Sequence, residues 1–315
     1  MTLEILGYLL AGLALLVAGG EAVVRGAAAL GMRLGLSALA TGLTIVAFGT
    51  SAPELVVNLE AATLGETGMA VGNVVGSNIA NIGLVLGVAV LIRPMGLDVR
   101  AVRDDIYVML IVSALAWIFL VNGSIGHAEG AMFTAGIIAY VWANLRAARG
   151  ETPEASASFE AAIPGRNQPI WLDIILLVVG LAILLTGGQL FVHGALDLAT
   201  NVGLSPTVIG LTVVAIGTCL PELTTTAIAA WRGYGDMAIG NVVGSNIFNV
   251  LSVLGLTALV HPLERGDINT VDLLVFLVSG AILLRLIVTG SRLSRWEGAL
   301  LFAGFCLYTA WRVTA

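Results

Sequence analysis

Two glutamates stand in the same local setting: Glu54 in GTSAPEL and Glu222 in GTCLPEL. A charged side chain at the centre of a bilayer costs roughly 2.5–3.5 kcal/mol on insertion scales. A matched pair inside apolar sequence therefore calls for a bound cation to offset it. Thr50 and Glu54 are four residues apart, hence on one helix face, and Ser51 adds a hydroxyl beside them; Thr218, Cys219 and Glu222 repeat the pattern. Pro53 lacks an amide hydrogen and its ring crowds the carbonyl of Gly49. A break or kink is expected there, freeing carbonyls from Ala47 to Thr50, and Pro221 repeats the arrangement. Freed carbonyls, hydroxyls and carboxylates are hard-oxygen ligands suited to Na⁺ or Ca²⁺.

A second motif supplies neutral oxygens. Asn73, Ser77 and Asn81 lie at i, i+4 and i+8 on one predicted helix, and Asn241, Ser245 and Asn249 on another. Amide and hydroxyl oxygens supplement carboxylates in such sites, although Asn73, Asn241, Asn78 and Asn246 could equally brace neighbouring helices. Gly72, Gly76 and Ala80 would let the first of these helices approach its neighbour closely. Glu21, Arg25, Gln189 and His193 read as interhelical polar packing, and His127 and His261 as solvated groups near loops. An enzyme would need a nucleophile with a base or an activated metal water. No histidine lies near the glutamates in sequence, and Cys219 and Cys306 show no disulfide or zinc spacing, so catalysis and a resident cofactor are not expected.

The elements that must position these groups are membrane helices. Of the 315 residues 58% are apolar and only 11% charged, too oily for a domain that folds in water; no nucleic-acid signature is present. Apolar runs of spanning length fall at about 3–31, 37–61, 69–93, 104–122, 127–148, 170–198, 205–229, 236–259, 270–288 and 294–312. The expected fold is all-α, with ten transmembrane helices of which the second and seventh are broken. Met1 to Ala18 reads as the start of the first helix, since it lacks a basic leader region. The stretch 149–169, rich in Pro, Ser, Ala and Glu, reads as a short cytoplasmic linker between 1–148 and 170–315. All 14 basic residues are arginine. With an external N-terminus, all but Arg265 and Arg312 fall at cytoplasmic ends, so both termini are expected outside.

The two halves repeat. TGLTIVAFGTSAPEL at 41–55 matches IGLTVVAIGTCLPEL at 209–223 at 10 of 15 positions, and GNVVGSNIANIGLVLG at 72–87 matches GNVVGSNIFNVLSVLG at 240–255 at 12 of 16. One offset of 168 residues relates both pairs. Five helices per half is an odd number, so the second half must enter the membrane inverted. Inverted repeats place substrate near the midplane, where broken helices meet.

These motifs resemble the cation/Ca²⁺ exchangers, in particular the prokaryotic Na⁺/Ca²⁺ exchangers, over essentially the whole chain. The resemblance implies a multi-pass antiporter in a prokaryotic plasma membrane, the inner membrane if two are present, with inorganic cations as substrates and no obligatory protein partner. It implies a core formed by the second, third, seventh and eighth helices, with the first and sixth sliding as a pair. It implies Ca²⁺ on Glu54 and Glu222, helped by Thr50 and Thr218. One flanking Na⁺ site would use the Ala47 carbonyl, Thr50, Ser51, Ser77 and Glu222. The other would use the Ala215 carbonyl, Thr218, Cys219, Ser245 and Glu54, and a central position would involve Asn81 and Asn249. Well-studied members carry serine where this chain has Cys219 and aspartate where it has Asn249. A thiol ligates hard Na⁺ poorly, and the two remaining carboxylates balance one Ca²⁺ but leave three Na⁺ with a surplus positive charge. Proton-coupled Ca²⁺ exchange is the alternative.

Overall fold

The computed structural model describes residues 3–96, 99–147, 169–201, 215–290 and 292–314. The sequence-predicted linker up to residue 168 and the first residues of the seventh predicted helix, 205–214, lie outside these.

Among the described residues the helices are α1 (Leu3–Arg33), α2 (Ala38–Thr63), α3 (Thr67–Ile92), α4 (Val99–Val121), α5 (His127–Ala147) and α6 (Ile170–Asn201), then α7, made of Ala215–Thr218 and Leu220–Arg232. They continue as α8 (Gly235–Val260), α9 (Thr270–Thr289) and α10 (Arg295–Thr314). Seven of them, α1 to α4, α6, α8 and α9, are long and apolar enough to cross a membrane, and the chain is a multi-pass membrane protein. Local chemistry sets the ends. The Ser37 hydroxyl accepts the Ala40 amide at the start of α2, Asn269 and Asp272 form a capping box on α9, and Gly233 closes α7 at φ 89°, a left-handed conformation suited to glycine.

Two short ribbons tie the loops together. β1 (Met95–Gly96) pairs antiparallel with β4 (Arg292–Leu293), and β2 (Ser124–Ile125) with β3 (Leu263–Glu264). The 168-residue offset turns β1 into β3 and β2 into β4, so each ribbon is the counterpart of the other. Since β1 precedes α4 and β2 follows it, the ribbons cap opposite ends of a helix about 35 Å long at 1.5 Å per residue.

Burial divides the helices into a centre and a periphery. The apolar windows of α8 and α3 are 83% and 78% buried, those of α1 and α6 only 28% and 22%. α1 and α6 run antiparallel along a glycine seam. A Cβ on Gly12, Gly19 or Gly26 would lie 2.5, 2.4 or 2.7 Å from the backbone nitrogen of Phe191, Leu184 or Leu177. Gly180, Gly187 and Gly194 return the contact against Val23, Leu16 and Leu9. The seven-residue spacing on both helices keeps the seam on one face, and the missing side chains let the backbones touch. Arg33 closes the pair by bonding Asp173.

Candidate functional site

Among the described residues, three of the central helices contain π-helical segments: Gly42–Val46 in α2, Asn81–Leu86 in α3 and Asn249–Leu254 in α8. The last two are related by the 168-residue offset. A π turn inserts one residue and loosens the backbone ladder, a device frequent at functional sites. The break expected at Pro53 is not there: Ala47–Thr63 is α-helical through the proline, and the irregularity lies upstream in the π turn. Neighbouring helices can accommodate a proline in a membrane helix; separately, the Thr50 hydroxyl lies 3.4 Å from the Ala47 carbonyl oxygen. In α7 the helix is interrupted, at Cys219, and Pro221 stands in the first turn of the following piece, where its missing amide costs no helical bond.

Glu54 and Glu222 are buried, 4% and 2% exposed, and close enough for their charges to interact. Thr50 lies beside Glu222 without closing a hydrogen bond to it, and its hydroxyl is 3.5 Å from both Ser245 and Asn241 of α8. Cys219 is buried beside Ser77 and both glutamates, and its sulfur lies 3.9 Å from the Thr218 hydroxyl. Ala47 is buried in α2, and Ala215 opens the first turn of α7. Residues contributed by α2, α3, α7 and α8 are thus brought together.

Next to Ser77 and Ser245 and one helical turn beyond them, four asparagines make a two-fold cross. The amide nitrogen of Asn78 donates to the backbone carbonyl of Asn246 at 3.2 Å, and that of Asn246 to the carbonyl of Asn78 at 3.3 Å. Asn81 donates to the side-chain oxygen of Asn246 at 3.0 Å, and Asn249 to that of Asn78 at 2.9 Å. The donors are consumed in holding α3 to α8. The side-chain oxygens of Asn81 and Asn249 are left without a protein partner.

They are not alone. Among the described residues ten buried side-chain polar atoms lack a hydrogen bond, and seven are Ser51 Oγ, Glu54 Oε2, Ser77 Oγ, Asn81 Oδ1, both Glu222 carboxylate oxygens and Asn249 Oδ1. Buried polar atoms are normally paired, because each unpaired one costs about 1–3 kcal/mol, more when charged. All seven are acceptors, or hydroxyls that can accept, and a hard cation satisfies such a set. No three His, Cys, Asp or Glu side chains form a metal cage among the described residues, so a cation here would draw mainly on two carboxylates and neutral oxygens.

Other polar residues brace the scaffold. Asn73 donates to Asn58 at 2.7 Å, and Asn241 to Thr225 and Thr226 at 3.2 and 2.9 Å. Asn58, Thr225 and Thr226 carry no motif of their own; Asn58 and Thr226 become visible in the sequence only once the 168-residue offset is extended beyond the matched blocks. Glu21 packs between helices as expected, bonding Arg25 of its own helix and Arg232 of α7. His193 lies 3.8 Å from Asp197. His127 is exposed, as its solvated reading expects, and its ring nitrogen also sits 3.0 Å from the Ala258 carbonyl oxygen, joining α5 to the end of α8. A Cβ on Gly240 or Gly244, the counterparts of Gly72 and Gly76, would lie 2.5 or 2.7 Å from carbonyls of α2. The same offset puts the corresponding neighbours of Gly72 and Gly76 at 207 and 211, outside the described residues; Gly72 and Gly76 line a 390 Å³ cavity that reaches Ser77 and Thr218.

Fold and site together define a membrane carrier built around a buried, oxygen-lined chamber. The family described as sodium/calcium exchanger protein matches residues 4–146 and again 172–314, and the chain belongs to it. It is 36% identical to a putative antiporter, CaxA, of Alkalimonas amylolytica, with 96% of each chain covered. It is 35% identical to the sodium/calcium exchanger MaX1 of Methanosarcina acetivorans, over 93% of this chain and 94% of that one. Among solved structures, the sodium-calcium exchanger NCX_Mj soaked with Na⁺ superposes with a TM-score of 0.84 at 32% identity, covering 98% of this chain and 99% of that one. The family is one of transporters rather than enzymes, and cation/Ca²⁺ antiport is the activity that it brings.

Proposed function

We propose that the chain exchanges Na⁺ for Ca²⁺ by alternating access, using the Na⁺ gradient to extrude Ca²⁺ across a prokaryotic plasma membrane. The observation that carries this reading is the set of seven buried, unpartnered oxygens centred on Glu54 and Glu222. Ca²⁺ sits between the two glutamates with Thr50 and Thr218, its charge matched by two carboxylates. One Na⁺ site uses the Ala47 carbonyl, Thr50, Ser51, Ser77 and Glu222; the other uses the Ala215 carbonyl, Thr218, Cys219, Ser245 and Glu54. Asn81 and Asn249 flank the centre. Residues 1–148 and 170–315 act as inverted halves of ten spans, which the exchange of the two ribbons under one sequence offset supports. Ca²⁺ and Na⁺ then compete for one chamber, and cation loading offsets the desolvation of the two acids.

A second reading has a specific motive. Cys219 and Asn249 weaken the oxygen set for Na⁺, and protons on the glutamates could replace it as the coupling ion. Proteoliposomes loaded under an imposed Na⁺ gradient, or a pH gradient alone, separate the two. Ca²⁺ uptake is expected with the Na⁺ gradient; uptake driven only by the pH gradient would overturn the Na⁺ assignment. In the same assay Glu54→Gln and Glu222→Gln each lower Ca²⁺ flux by about two orders of magnitude, as expected where one partner of a buried charge contact is lost. Retained flux in both would sink the site itself.

A further inference from the structure

A groove between α1 and α7 takes no part in the ion chamber. Its volume is 760 Å³, and Leu10, Leu13, Val17 and Trp231 line it as outward-facing apolar side chains. One end is charged. Glu21 binds Arg25 and Arg232 there, while Arg93 reaches the carbonyl oxygen of Trp231 at 3.2 Å. Two guanidinium groups thus share the Glu21 carboxylate, a surplus of one positive charge, and Arg93 brings a third guanidinium to the same end of α7. Each guanidinium has five N–H donors, and these bonds use only some of them. The Arg25 and Arg232 side chains are 56% and 41% exposed, and Trp231 is 73% exposed beside them, the arrangement of a membrane–water interface.

Length identifies the other end. From Leu10 to Glu21, α1 rises about 17 Å at 1.5 Å per residue, close to half of a hydrocarbon core about 30 Å thick. The groove therefore runs from one interface to about the midplane, the depth of one acyl chain. Its apolar stretch has no polar partner to offer a protein helix, and its charge surplus gives a zwitterionic headgroup no advantage. We propose that this groove binds one anionic phospholipid, with the acyl chain along α1 and the phosphate on Arg25, Arg93 and Arg232. Bound there, the lipid lies between α1, which is packed on α6, and the end of α7, which carries Glu222.

The test places the full chain in phosphatidylcholine vesicles containing rising fractions of brominated phosphatidylglycerol or brominated phosphatidylcholine. The Trp231 signal is taken as the difference between wild type and Trp231→Phe. Half-quenching is expected at an about fivefold lower mole fraction of the anionic lipid, equivalent to about 1 kcal/mol in all, the attraction of one surplus arginine to an anionic headgroup. The double variant Arg93→Gln/Arg232→Gln should bring the two curves together, while Glu21→Gln, which removes the competing carboxylate, should drive them further apart. Coincident curves in wild type, a preference that survives the double variant, or no widening in Glu21→Gln would each overturn the proposal.

Discussion

At the scale of single residues, the chamber is a set of acceptors whose donors have been used elsewhere. Asn81 and Asn249 spend their amide nitrogens on the cross between α3 and α8, and that is what fixes their oxygens inward. Asn249→Asp adds a carboxylate at this point. It is expected to strengthen the dependence of flux on Na⁺ and to leave Ca²⁺ binding within a few-fold, read from flux against Na⁺ concentration; an unchanged Na⁺ dependence would place residue 249 outside the ion path. Cys219 gives the second residue test. It is buried beside both glutamates, whereas Cys306 lies exposed on α10. A small membrane-permeant thiol reagent is expected to inhibit transport, with protection by Ca²⁺. Cys219→Ser should abolish the inhibition and lower the half-saturating Na⁺ about five- to tenfold, the worth of one regained oxygen contact of about 1–1.5 kcal/mol. Inhibition that persists in Cys219→Ser would move its origin to Cys306.

At the scale of elements, the α1–α6 seam depends on having no side chains where the backbones meet. A Cβ on Gly19 would lie 2.4 Å from the Leu184 nitrogen, and the neighbour that would have to give is backbone. Overpacking of this kind costs about 1–3 kcal/mol or more. Gly19→Val is expected to lower the thermal midpoint of the purified protein and its flux together. Gly7→Val is the control, since a Cβ on Gly7 meets nothing within 4 Å among the described residues; equal damage from both would remove the seam as the cause. Upstream of the matched blocks, the same 168-residue offset pairs Gly19 and Gly26 with Gly187 and Gly194. Their alignment showed that glycine recurs, and only the packed pair shows that each faces the other helix's backbone. The π segments were likewise invisible beforehand, because Asn81–Leu86 and Asn249–Leu254 have the composition of any buried helix. Pro53 was the visible signal, and it pointed one turn too far along the chain.

At the scale of the whole molecule, the two ribbons cap opposite ends and exchange under one offset, as an inverted repeat requires. With arginines concentrated at one face, the proposed topology puts both termini outside. A fluorescent protein that matures only in the cytoplasm, fused to either end, is expected to stay dark, and alkaline phosphatase fused to the C-terminus to be active. A bright C-terminal fusion would contradict the five-plus-five arrangement.

The sequence by itself determined the periodic and covalent features: the apolar runs, the 168-residue repeat, the duplicated Glu54 and Glu222, and the hydroxyls and amides near them. Composition and spacing carry these because a bilayer demands long apolar helices and because a duplication leaves its offset in the chain. Tertiary structure decided which polar groups face inward and which brace. Asn73, Asn78 and Asn241 look like ligands by type, yet their hydrogen bonds tie helices together. Asn81 and Asn249 look the same in the sequence and are left with open oxygens. The difference lies in partners far along the chain, such as Asn78 and Asn246, which no local pattern encodes. It is this long-range satisfaction of donors that leaves the acceptors around Glu54 and Glu222 open, the set that the proposed cation site draws on.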